Sequence, residues 1–387
     1  MFVMAMGVGF IVPLLPVYAE TLGASGIWIG AIFGAHPFFQ AFFILFLGTI
    51  SDYSSKRMLM VYGLLGYCLV ALGFVFAVQV HQLFILRIAQ GALSAMIGPV
   101  ARAYAGEIAP ASKEGSVMGT VNMGFFAGFG TGPLIGGLLA DWLGINAPFY
   151  AMSLLSATAL ILVVRFVPEQ GPTLLGRMSM IQLLLQSLHM FRNDIVRGII
   201  AIRSSVEMGR GMYASILPLF GQLTLGLSSA EVGLTVSLRA ITAGLLQRYC
   251  GSLADRFNRK WLAIFGFALT PLVFLLVPQS QMLWHLLLIS GLLGISMAVS
   301  VPSAEAIAVE QGRIFSMGRM MGLVQMSRSF AKGIGAVVAG WALDIFGMQN
   351  VFTFAALVSA TGILLSAWFL REYPQTATSE RAEHHQV

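Results

Sequence analysis

Arg203, Glu207 and Arg210 stand at i, i+4 and i+7 of one apolar run, so a helix places all three on a single face. Arg239 lies in the next run, and Arg328 and Lys332, four residues apart, share a face of a later one. Counting about 1.5 Å of helix rise per residue from the run ends, Arg210, Arg239, Arg328 and Lys332 fall near the middle. Arg87 and Arg203 fall nearer the ends, where a long side chain reaches water. A cation at the middle of a hydrocarbon layer costs about 2.5–3.5 kcal/mol even on a lenient scale, so these residues need carboxylates or a wet cavity. Glu207 neutralises about one of them. The surplus suits recognition of an anionic or acidic amphipathic molecule, with Glu207 as the candidate proton carrier. The structural alternative is ion pairing at helix contacts through Glu207 and Glu305. Neither a nucleotide-binding loop, nor a metal-ligand cluster, nor a nucleophile–base pair is legible, so no enzymatic reaction, cofactor or metal is expected. Cys68 and Cys250 fall within or at the edge of apolar runs and suggest neither disulfide nor zinc chemistry.

The elements that must hold these side chains are membrane helices. The chain is 57% hydrophobic and 10% charged, far below the roughly 25% charge of soluble domains. Apolar runs fall near 2–18, 27–50, 58–78, 83–104, 117–139, 148–167, 199–220, 232–249, 261–277, 282–302, 320–343 and 351–370. Most approach the roughly 20 residues that cross about 30 Å of hydrocarbon. The expected fold is an all-α membrane protein of twelve transmembrane helices. With both termini inside, none of the 22 Lys and Arg residues lies in an outer loop. The net charge of +6 is therefore a topology signal and not a nucleic-acid-binding face. The first run leads directly into a polytopic chain and reads as a helix, not as a cleavable signal peptide.

The chain is also internally duplicated. "GTISDYSSKR" at 48–57 and "GSLADRFNRK" at 251–260 begin 203 residues apart. The same shift aligns Gly48 with Gly251, Asp52 with Asp255, Glu107 with Glu310, Gly137 with Gly340 and Asp141 with Asp344. Two six-helix pseudo-repeats are expected, at 1–168 and 198–373, joined by an inner linker at 169–197 and followed by a disordered tail at 374–387. Parallel repeats of this kind place a substrate site between them near the bilayer midplane. The counterpart of residues 196–203 is missing before the first helix, which predicts either a short first helix or a start further upstream.

Gly48 and Gly251 let helices approach closely. Asp52 and Asp255, at the inner ends of helices 2 and 8, are expected to latch onto the positive starts of helices 11 and 5 and close an inner gate. Lys56, Arg57, Arg256, Arg259 and Lys260 complete the two charged loops. Gly128, Gly132 and Gly136 recur every fourth residue, with Pro133 bending the helix and Gly137 beside it, for close packing at a moving interface.

On these residues the chain resembles a major facilitator superfamily transporter over nearly its whole length. The two decapeptides resemble the loop 2–3 signature of that superfamily. "LFILRIAQGALSA" at 83–95 resembles the fourth-helix signature through Arg87, Gln90 and Gly91. "GFGTGPLIGG" at 128–137 and "GFIVPLLP" at 9–16 resemble the drug:proton antiporter branch. The resemblance implies proton antiport, with Arg87 as a coupling residue, in a monomer of the bacterial inner membrane. Helix 1 offers only Glu20, at its outer end, where many such exporters carry a deeper carboxylate. The reading taken is a secondary active exporter of small, amphipathic or anionic molecules. An organic-anion uptake system or exchanger is the alternative on the same fold. A non-transporting receptor is a third class, opposed by the short loops.

Overall fold

The computed structural model describes residues 1–51, 55–109, 114–169, 190–314 and 317–372. Twelve long helices account for nearly all of them: α1 (Phe2–Thr21), α2 (Gly26–Ser51), α3 (Lys56–Val75), α4 (Val80–Ile108), α5 (Glu114–Leu143) and α6 (Ala147–Phe166), then α7 (Asp194–Leu219), α8 (Ser229–Arg256), α9 (Arg259–Leu276), α10 (Leu283–Ile314), α11 (Met317–Phe346) and α12 (Met348–Phe369). Each expected run falls on one helix. Several helices outlast their runs: α8 reaches Arg256 and α10 reaches Ile314. Those ends carry charge, and hydropathy is blind to a helix that continues beyond the hydrocarbon.

Eleven of the twelve are long and apolar enough to cross a membrane. The exception is α7, which carries Arg203, Glu207 and Arg210 and packs against α11 and α12. From Gly209 to Leu219 every residue of α7 is buried, so the helix that carries this charge cluster is covered by its neighbours there. Helix α1 is two pieces, Phe2–Ile11 and Leu15–Thr21. Pro13 and Pro16 supply no backbone N–H, and the ladder breaks between the pieces.

The duplication is visible in the packing. Helix α1 packs on α5 as α7 packs on α11, α2 on α4 as α8 on α10, and α3 on α6 as α9 on α12. Two further pairings, α5 with α8 and α2 with α11, join the halves. The loops α1–α2, α5–α6 and α7–α8 mark the far face; the start of α1 and the end of α12 mark the terminal face.

The seam is closed toward the far face. A Cβ at Gly137 would overlap Ser229 and Ala230, and one at Gly340 would overlap Gly26 and Ile27. These are the same contact under the 203-residue shift. Lower down, Gly34 meets Gly333 and the Phe38 and Phe330 rings pack edge to face at 4.9 Å. Toward the terminal face, no described atom lies within 4 Å of a Cβ built at Gly119, Gly251 or Gly322.

The basic residues of the charged loops tie each half to itself. Lys56 pairs with Glu107 at 2.7 Å, and Arg259 pairs with Glu310, its repeat equivalent. Arg57 donates to the Val164 carbonyl at 2.5 Å, and the buried Lys260 lies 3.4 Å from the Arg371 carbonyl. Asp52, the side chains of Asp255 and Arg256, most of the expected linker and all of the expected tail lie outside the described residues.

Candidate functional site

A cavity of about 240 Å³ lies between the halves. Its amino-terminal wall is mostly apolar: Met4 and Val8 from α1, Phe33 from α2, Phe125 and Phe129 from α5. The opposite wall is polar: Glu207 from α7, with Gln325, Arg328, Ser329 and Lys332 from α11. His36 and Gln40 of α2 and Arg87 of α4 are the polar members of the amino-terminal wall.

Sequence spacing brings the charges together as a chain that crosses three helices. Glu207 accepts from Arg210 at 2.9 Å and lies 3.5 Å from Arg328. Glu305 of α10 lies 3.3 Å from Arg203 and 3.8 Å from Arg328. Arg328 is thus shared by both carboxylates, loosely, from the cavity wall. The structural alternative, pairing through Glu207 and Glu305, holds for Arg203 and Arg210. Lys332 differs: among the described residues no carboxylate comes within ion-pair distance of it.

Two of the four expected cavity cations stand back from the wall. Arg210 is buried between Glu207 and the face of Phe267, and Arg239 stacks over Tyr213 at 5.7 Å. Arg328 and Lys332 line the cavity as expected. Arg87 and Arg203, expected to snorkel, are instead 5% and 1% exposed. Arg203 has one ion pair, to Glu305, and its Nε and Nη1 have no partner among the described residues, whereas every nitrogen of Arg87 is met, two of them by backbone carbonyls. Pro37 interrupts α2 and leaves the Phe33 carbonyl without its helical donor. Arg87 donates to that carbonyl at 3.2 Å and to Ile32 at 3.1 Å, and its third contact is Gln90 at 2.6 Å. It satisfies the carbonyl that Pro37 leaves free on the cavity wall, which is how a proline inside a helix is tolerated away from water.

The glycine stripe has a different partner from the one expected. Gly128, Gly132 and Gly136 lie against Phe2, Met6, Gly9 and Phe10 of α1, inside one half. The moving seam instead takes Gly137 and the Pro133 carbonyl, about a quarter-turn round the same helix, which meet α8. Gly132→Leu is therefore expected to lower expression and melting temperature sharply, since it must displace α1 backbone. Gly251→Leu should fold like the parent, because its space is open, yet slow any closure at the terminal face. Melting curves of both purified variants check the contrast.

His36 was not legible as a site residue, although it is one of two histidines, with His285, inside an apolar run, and the deeper of the two. Its Nε2 is buried without a partner among the described residues. Gln40, Gln325 and the aromatic residues of the wall carry no signal that separates cavity from core.

A family model described as Major Facilitator Superfamily matches residues 1–202 and 199–386. An uncharacterized MFS-type transporter of Methanocaldococcus jannaschii is 32% identical over 365 residues, covering 92% of this chain and 93% of that one. A protein named multidrug resistance protein MdtG, from Serratia proteamaculans, is 27% identical over 375 residues, covering 94% of this chain and 90% of that one. In fold, a bacterial homologue of the human lysosomal transporter Spinster, inward-facing and occupied, superposes with a TM-score of 0.81 at 12% identity, over 96% and 95% of the two chains. Twelve helices in two repeats, a cavity between them and a family match over both halves agree: the chain belongs to the Major Facilitator Superfamily and is a multi-pass membrane transporter, not an enzyme.

Proposed function

We infer that the protein is a secondary active exporter of small amphipathic molecules that works by proton antiport. The terminal face is assigned to the cytoplasm, from the absence of Lys and Arg in the far-face loops. The observation that carries the reading is the division of the cavity: an apolar wall opposite Glu207, Arg328 and Lys332. The apolar wall receives the body of the substrate and the charged wall its polar group. Glu207 is the one carboxylate among the described lining residues, so it is the group a returning proton would occupy. The outward direction rests on relatives named for multidrug resistance. Arg87 acts here through the α2 carbonyls it holds, and the Asp52 and Asp255 latches close the terminal face in the other half of the cycle.

A second reading, uptake or exchange of organic anions, is favoured by Lys332, a cation on the wall with no described partner. Linkage separates the two, because coupling between ligands is reciprocal. A proton on Glu207 frees Arg328 for an anion, so proton and anion bind together. A cationic amphiphile, or a neutral one whose polar group donates to the Glu207 carboxylate, competes with the proton, and that competition is antiport. Purified protein in proteoliposomes, offered neutral, cationic and anionic amphiphiles with and without a pH gradient, tests this. Exchange of a neutral or cationic compound against protons is expected. Transport of anions alone, moving with protons, would overturn the antiport reading.

A further inference from the structure

The far face is held by more than close packing. Asp141, at the end of α5, accepts the first two N–H groups of α8 in the other half: Ser229 at 3.0 Å and Ala230 at 2.8 Å. The third, Glu231, is capped from within by Ser228. Asp344, at the end of α11, accepts the first two N–H groups of α2: Gly26 at 2.7 Å and Ile27 at 2.9 Å. Under the 203-residue shift these are one interaction made twice, since 141, 229 and 230 differ from 344, 26 and 27 by that amount.

We propose that Asp141 and Asp344 are a matched pair of latches that hold the far face shut, each by capping the first turn of a helix in the opposite half. Four N–H groups point out of the start of any helix without partners of their own, and that end carries the positive pole. A carboxylate there makes charge-assisted hydrogen bonds, the stronger kind. Each latch joins the two halves, so it exists only while the halves meet. The carboxylates are exposed, so parting α5 from α8 exchanges these hydrogen bonds for ones to water. The latches therefore differ between states, which is the requirement for shifting a population. Gly137 and Gly340 sit one turn before the carboxylates and bring the backbones close enough for the reach. The sequence pattern is an Asp four residues after a seam glycine, in both repeats.

This inference rests on the alternating-access reading, and the experiment keeps the two apart. Spin labels at Leu143 and Leu223, both exposed at the far face and on opposite halves, report the separation across the seam. In the parent the short distance should dominate, with a longer one appearing during turnover. D141N/D344N keeps one acceptor in each latch and removes the charge. Each substitution is expected to raise the far-face-open population about 2- to 10-fold, and the pair by the product. D141E/D344E, which restores the charge, should return part of the shift. Gly340→Leu must part α11 from α2 and serves as the positive control. An unchanged distance distribution in folded D141N/D344N, while Gly340→Leu opens, overturns the latches alone. A parent that transports yet never samples the longer distance overturns the latches and alternating access together.

Discussion

Glu207→Gln is expected to abolish transport driven by a pH gradient, a fall of about 10- to 150-fold or more, while substrate exchange at equal pH continues. The reason is its position as the keystone of the cavity charges. Arg210 at 2.9 Å and Arg328 at 3.5 Å both depend on this carboxylate. Glutamine keeps the shape and accepts one hydrogen bond, but it carries neither the charge nor the proton. Arg328 still has Glu305 within 3.8 Å. Arg210 is left with a neutral amide acceptor and an aromatic face, and an uncompensated buried charge costs about 3–5 kcal/mol. The melting temperature of the purified variant should therefore fall. Glu207→Asp, which retains the charge one methylene short, should recover much of the stability and part of the gradient-driven rate. Gradient-driven accumulation at the parent rate in the Gln variant would remove Glu207 from the coupling step.

Much of this architecture was legible because lipid imposes one simple rule. A helix must satisfy its own backbone and show apolar residues for about 20 positions, and hydropathy reads that directly. The repeat was legible because Gly48 and Gly251, or Glu107 and Glu310, keep one spacing across both halves. Charges inside apolar runs also stand out, which is why Glu207, Arg328 and Lys332 were found. What sequence did not carry is which way each charge turns. Arg210 and Lys332 look alike in a hydropathy plot, yet one is enclosed by Glu207 and Phe267 and the other faces the cavity. The apolar wall is silent for the same reason. Met4 and Phe125 sit in helices apolar on every side, where no moment distinguishes cavity from lipid. Asp141 and Asp344 were misleadingly ordinary, since an acidic residue at a helix end reads as a loop charge until the partner helix is seen. The sequence drew attention to the charged loops at one face, and the described contacts across the halves lie at the other.

Arg328→Gln is expected to weaken acidic substrates about 10- to 150-fold while leaving neutral ones within a few-fold, the loss of one charge-assisted contact. The guanidinium is a better anion partner than the Lys332 ammonium on the same wall, because its planar fork meets a carboxylate with two parallel bonds. It is also recruitable: its contacts to Glu207 and Glu305, at 3.5 and 3.8 Å, are long, and its Nε has no partner among the described residues. Folding should survive, since Glu207 keeps Arg210 and Glu305 keeps Arg203. Lys332→Gln should act on the same substrates more mildly, as a point charge without the fork. It should also leave the protein at least as stable, because it removes a cation that has no described carboxylate to neutralise it. Binding of matched acidic and neutral amphiphiles to both purified variants, followed by calorimetry, measures the difference. Equal losses for the two substrate types would make the charges structural, and the cavity would then select by its apolar wall alone. A selective loss in Arg328→Gln with no change in Lys332→Gln would place the acidic group beside α7, where it competes with the Glu207 carboxylate for Arg328 and a proton on Glu207 assists its binding.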